Sequence, residues 1–106
     1  MSLPAVTEDF PFDDVNLVMR VCGKIFACLP LDNPDTVVLK CDADRAAALR
    51  ESHSCITGAW HWNKKYWNQM PASQIETPLM RELIEHAYAE VVRKLPKKLR
   101  STIVAG

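Results

Sequence analysis

Leu79, Leu83, Ala87, Val91 and Leu95 recur every four residues, with Met80, Ile84, Tyr88 and Val92 beside them. This spacing lays one broad apolar stripe along a single long helix. Arg81, Glu82, Glu85, Glu90, Arg93 and Lys94 take its solvated side. A stripe of this width is unstable alone in water and must be buried against another element. Thr77-Pro78 opens the helix as an N-cap followed by proline at the first helical position. Pro96 interrupts it, and a further turn starts from there to about Ile103.

The surface that buries the stripe lies upstream. Asp14 to Val21 reads as a strand, with Val15, Leu17, Met19 and Val21 on one face and Asn16 and Arg20 on the other. Cys22-Gly23 follows as a tight hairpin turn, in which Gly23 takes a positive φ. Lys24 to Leu31 is a second strand, apolar on both faces, so both need covering. Leu31 to Asp35 is turn chemistry, and Thr36 to Cys41 is a third strand rich in β-branched residues. Asp42 caps a short alanine-rich helix, Ala43 to Glu51. Cys55 to Trp60 and Tyr66 to Met70 read as strands around a tip at residues 61–65, and Pro71 to Glu76 as a loop. Residues 1–12 read as irregular, with Phe10 and Phe12 pinning them to the core. Strands, helix, strands, helix is the order of an α+β two-layer domain, an antiparallel β-sheet packed by helices on one face. At 106 residues the chain is one domain, 1–106.

No run approaches the roughly 18 apolar residues of a membrane-spanning helix. Met1 to Val6 lacks the basic and apolar regions of a signal peptide. Cys22, Cys28, Cys41 and Cys55 are widely spaced, without a C-x-x-C pair. They are expected as small buried side chains of a cytoplasmic protein, with no metal and no cofactor. A metal site would have to draw His53 or His61 to Cys55.

Thirteen basic and thirteen acidic side chains cancel, which by itself excludes a uniformly basic coat. The cancellation is uneven along the chain. Residues 1–63 hold five basic and nine acidic residues, a net of −4, and residues 64–106 hold eight and four, a net of +4. From Val91 onward Arg93, Lys94, Lys97, Lys98 and Arg100 meet no acidic residue. Such a cluster suits phosphates; it also suits the C-terminal end of a helix dipole. A second basic group, Lys64 and Lys65, is interleaved with Trp60, Trp62, Tyr66 and Trp67. Interleaving of this kind fits phosphate contact with base stacking, while tryptophans at this spacing also fill cores.

Catalytic groupings are poor. Glu8-Asp9 and Asp13-Asp14 pair carboxylates, but in polar segments without the apolar setting that shifts a pKa. Cys55 and His61 lack a third, orienting group. Only three glycines occur, and no phosphate-binding glycine loop. The expectation is a protein that is not an enzyme.

Five segments carry a family resemblance. They are residues 7–13 (TEDFPFD), 21–27 (VCGKIFA), 39–42 (LKCD), 62–68 (WNKKYWN) and 95–100 (LPKKLR). In this order they resemble the MmcQ/YjbR family over nearly the whole chain. The resemblance implies a CyaY-like α+β fold and a DNA-binding domain with a double wing of strands. Lys64 and Lys65 would then sit on a wing tip, and Arg93, Lys94, Lys97, Lys98 and Arg100 at the helix end, contacting phosphates. Trp62 or Trp67 would stack or wedge. Family members carry an N-terminal helix before residue 7, and only Met1 to Val6 precede it here. A missing helix would uncover apolar surface through which copies of the chain associate. Two other readings stand beside DNA binding. One is a protein-interaction module using Glu8, Asp9, Asp13, Asp14, Asp32 and Asp35 or exposed aromatics. The other is a small-ligand binder built around Cys55, His61 and Trp60.

Overall fold

A computed structural model describes residues 5–59 and 62–104, with side chains to residue 100. Among the described residues, six strands form one antiparallel sheet: β1 (Val6–Asp9), β2 (Asn16–Val21), β3 (Lys24–Pro30), β4 (Thr36–Lys40), β5 (Thr57–Gly58) and β6 (Trp67–Pro71). Their spatial order is β1-β2-β3-β4-β6-β5. Helix α1 (Ala43–Ser52) links β4 to β5, and α2 (Thr77–Val92) and α3 (Lys97–Val104) close the chain.

The β2–β3 hairpin sets the twist. Cys22 has φ 48° and Gly23 φ 79°, so both central residues are left-handed, as a type I′ turn requires. The pairing slips between Met19 and Arg20, where Arg20 faces Ile25 and Met19 faces Ala27. Phe26 is left over in this bulge and is fully buried toward the helices.

The helical stripe meets the sheet as its spacing predicts. Leu83, Ala87, Tyr88 and Val91 of α2 and Leu95 beyond it pack on Val21, Phe26, Val37, Leu39 and Met70. The edge of Phe26 meets Tyr88 at 5.6 Å and 89°. Glu76, not Thr77, is the N-cap of α2, and Pro78 lies in its first turn. The helix ends at Val92, before the last stripe residue. Lys94 and Leu95 continue it with tighter bonds to the carbonyls of Val91 and Val92. Pro96 disfavours helical backbone in the residue before it, which accounts for the change.

The other face has its own, smaller core. Val18, Cys28 and Val38 lie in register across β2, β3 and β4. Trp67 and Ala59 join them, with Ile25, Trp62 and Tyr66 packed alongside. The doubly apolar strand β3 is thus covered by helices on one side and by aromatics on the other.

Three local expectations are corrected. Val6–Asp9 is a strand rather than irregular: it pairs with β2 over four residues, and Asp9 holds Arg20 at 2.8 Å. Thr, Glu and Asp carry no strand pattern, so pairing with a partner edge decides it. The strand expected over residues 55–60 shrinks to Thr57–Gly58, and Trp62 lies in the turn region after it. Trp60 and His61 lie outside the described residues. Glu90, expected on the solvated side of α2, is 8% exposed, buried with its bonds to Arg93. On the same helix His86 is half-buried, and its Nε2 accepts the Asp42 N–H at 3.1 Å. With the Arg45–Glu82 pair at 2.7 Å it ties α1 to α2.

A Cβ on Gly23 would meet nothing within 4 Å. The cost of Gly23→Ala is therefore backbone conformation alone. A loss of about 1–2 kcal/mol is expected by chemical denaturation; an unchanged midpoint would contradict the left-handed turn.

Candidate functional site

Alternation along β4 sends Val37 and Leu39 toward the helices and Val38 and Lys40 to the other face. Lys40 stands directly opposite Trp67 across the β4–β6 pair. Its Nζ lies 5.3 Å from the centre of the Trp67 ring and 5.5 Å from that of Tyr66. Two more ammonium groups reach the same Tyr66 ring. Lys65 Nζ is 5.5 Å from its centre and Lys94 Nζ, from just beyond α2, is 5.3 Å away. The Tyr66 carbonyl accepts the Cys41 N–H at 2.8 Å, which fixes the ring's backbone beside the end of β4. Lys24, at the start of β3, joins Lys40 and Lys94 around a groove of about 240 Å³ floored by Ile25 and Val91.

The cluster is electrostatically crowded. Burial, and then the charge of Lys94, push the Lys40 ammonium below the ordinary lysine range; Glu90 pulls it back up. Glu90 is itself committed. Its carboxylate accepts two bonds from Arg93, at 2.7 and 2.9 Å, and this bonding lowers its pKa. The pairs Arg20–Asp9, Arg45–Glu82 and Arg93–Glu90 include none of Lys24, Lys40 and Lys94. The ring quadrupole of Tyr66 attracts each of the Lys40, Lys65 and Lys94 ammoniums by only about 0.5–1 kcal/mol at an exposed site. An anion placed among the three would relieve their mutual repulsion as well.

The residues expected at a phosphate surface divide. Lys65 and Lys94 come together on Tyr66. Lys97, Lys98 and Arg100 are exposed on α3. Arg93 is held by Glu90. The Lys64 stem is packed so closely on Gly58 that a Cβ there would lie 3.0 Å from it. Its carbonyl accepts from Arg50 at 2.9 Å. Trp67 is 7% exposed and stacks on half-buried Trp62, centres 4.3 Å apart, so its ring serves packing rather than a base. Lys24 and Lys40 were not among the expected residues, and Tyr66 was expected only as part of the aromatic motif. Lys40 had a signal in the sequence, as a charge at the end of an otherwise apolar strand.

All four cysteines are free thiols; burial raises Cys28 and takes Cys41 up to about 11. Among the described residues no group of three His, Cys, Asp or Glu side chains could hold a metal ion. No described helix is long and apolar enough to cross a membrane.

A family model described as YjbR matches residues 1–90. The chain belongs to the YjbR family. This YjbR-family chain is 29% identical to the uncharacterized protein YbdF of Escherichia coli O157:H7, over its full length and 88% of that protein. It is 27% identical to the uncharacterized protein YjbR of Escherichia coli K12, over 98% of this chain and 90% of the relative. A crystal structure of a Deinococcus radiodurans protein with the domain DUF419 superposes with a TM-score of 0.88 at 32% identity, covering 96% of this chain and 80% of that one. A Pseudomonas syringae protein shares the fold, with a TM-score of 0.63 at 20% identity over 77% of this chain and 83% of the other. The YjbR-type fold is the α+β arrangement read from the sequence.

The crowding of the lysines is directly measurable. In an NMR titration of the lysine side chains, Lys94→Gln is expected to move the Lys40 midpoint up toward the ordinary lysine value, since a like charge is removed. A midpoint that does not move would show that the two ammoniums do not interact.

Proposed function

We propose that this YjbR-family chain is a non-catalytic DNA-binding module that grips phosphates through Lys24, Lys40, Lys65 and Lys94. The observation that supports this reading is the convergence of three ammonium groups on the Tyr66 ring. Lys97, Lys98 and Arg100, which follow in the chain after Lys94, extend the positive potential. The contacts are of the positioning kind and carry no sequence preference. The aromatic rings serve the lysines and the core rather than bases, so stacking by Trp62 or Trp67 is not part of the mechanism. A reducing cytoplasmic setting suits its free thiols.

The acidic first half is a weaker docking surface, because several of its carboxylates have local work. Asp9 pairs with Arg20 and Asp13 caps the turn before β2. Asp35 accepts from the backbone and hydroxyl of Ser73, and Asp42 caps α1.

Fluorescence anisotropy with a short duplex tests the proposal. If the four lysines each neutralise one phosphate, log K falls with log salt at a slope of about −3.6 or steeper. The double variant Lys40→Gln/Lys94→Gln is expected to flatten the slope by about 1.8 for any duplex sequence. Absence of binding at low salt, or a slope indifferent to the double variant, would overturn the reading.

A further inference from the structure

On the sheet face away from the helices, a cavity of about 390 Å³ opens between Phe12 and Trp62, with Asp13, Asn16 and Cys28 completing its lining. Its size is that of a small-molecule site. The two rings stand 6.2 Å apart at 75°, making two walls of a corner. Trp62 is backed by the Trp67 ring, centres 4.3 Å apart and planes 35° apart. Phe12 is 64% exposed, so its ring is accessible from solvent. The floor is buried Cys28, from the row Val18, Cys28, Val38.

Asp13 brings a fixed negative charge to this corner. Its Oδ1 accepts from the backbone N–H groups of Val15 and Asn16 at 3.0 and 2.8 Å. Asn16 Nδ2 donates to both of its oxygens, at 3.2 and 2.9 Å. The backbone bonds, that of Val15 first, hold this carboxylate below its usual range, so it stays charged at neutral pH. Among the described residues its donors are neutral, and the ion pairs Arg20–Asp9, Arg45–Glu82 and Arg93–Glu90 do not include it.

We infer that this cavity is a binding site for a small organic cation, a quaternary or alkylated ammonium. Aromatic faces attract diffuse positive charge through their quadrupole, and a nearby carboxylate adds Coulomb attraction. A hard metal cation is disfavoured, because it requires several oxygen ligands and the corner supplies one carboxylate. A phosphate-bearing ligand is repelled by Asp13. The site is separate from the lysine groove and does not depend on the DNA reading.

Choline is the probe, with its uncharged carbon isostere dimethylbutanol as the comparison. Choline is expected to shift the Trp62 indole N–H resonance saturably, and the isostere to bind about tenfold more weakly or worse. Asp13→Asn keeps a side chain able to cap the turn and is expected to cost choline affinity by a similar factor, about tenfold. Phe12→Ala, at an exposed position, is expected to weaken choline as well. Lys40→Gln/Lys94→Gln should leave it unchanged. Equal binding of choline and its isostere would show an apolar cavity without charge selectivity. No saturable shift with choline would remove the site altogether.

Discussion

Asn68 is a buried amide, 1% exposed, in the strand β6 that both β4 and β5 pair with. Its Nδ2 donates to the Ala46 carbonyl of α1 at 3.2 Å, and its Oδ1 accepts from Arg50 at 2.6 Å. The same Arg50 nitrogen donates to the Lys64 carbonyl at 2.9 Å. One side chain therefore ties α1 to the sheet and, through Arg50, ties down the 62–66 segment at the Lys64 carbonyl. That segment carries Lys65 and Tyr66 to Lys40 of β4 and Lys94 beyond α2. Leaving such an amide unsatisfied would cost about 1–3 kcal/mol. Among the described residues no buried side-chain nitrogen or oxygen lacks a partner.

From this clamp outward, the second sheet face reads as a row of rings. Phe12 meets Trp62, Trp62 stacks on Trp67, and Lys40 spans Trp67 and Tyr66. The row has a carboxylate at one end, Asp13, and ammonium groups at the other. Ring faces suit cations at both ends. At the Tyr66 end the protein supplies its own, which is the basis of the phosphate contacts proposed above. At the Phe12 end it supplies a carboxylate, which is the basis of the proposed organic-cation site.

Much of the architecture was legible because it follows from periodicity. The stripe from Leu79 to Leu95 and the alternation in β2 each name a buried face, and the faces meet as expected. The strand β1 was not legible, since pairing with a neighbour rather than residue preference makes it a strand, and β5 was read as a strand but too long. The charge split of −4 and +4 along the chain did not become a split in space. Lys24 and Lys40 from the acidic half sit with Lys94 from the basic half, and Arg45 reaches across to Glu82. Half of the candidate site was therefore visible, as Lys65 and Lys94. The other half required knowing that Lys40 and Trp67 are cross-strand partners, which only the sheet order supplies. Arg93 shows the converse: its charge was counted correctly, but Glu90 three residues earlier consumes it.

The Asn68–Arg50 clamp holds the segment that builds the lysine cluster. Amide hydrogen exchange in Arg50→Met tests this. The Cys41 amide, bonded to the Tyr66 carbonyl, and the Trp62 amide, bonded to that of Ala59, should lose protection. The amides of Leu83 and Ala87 in α2 should keep theirs. Unchanged protection at Cys41 and Trp62, or an equal loss throughout α2, would contradict the claim.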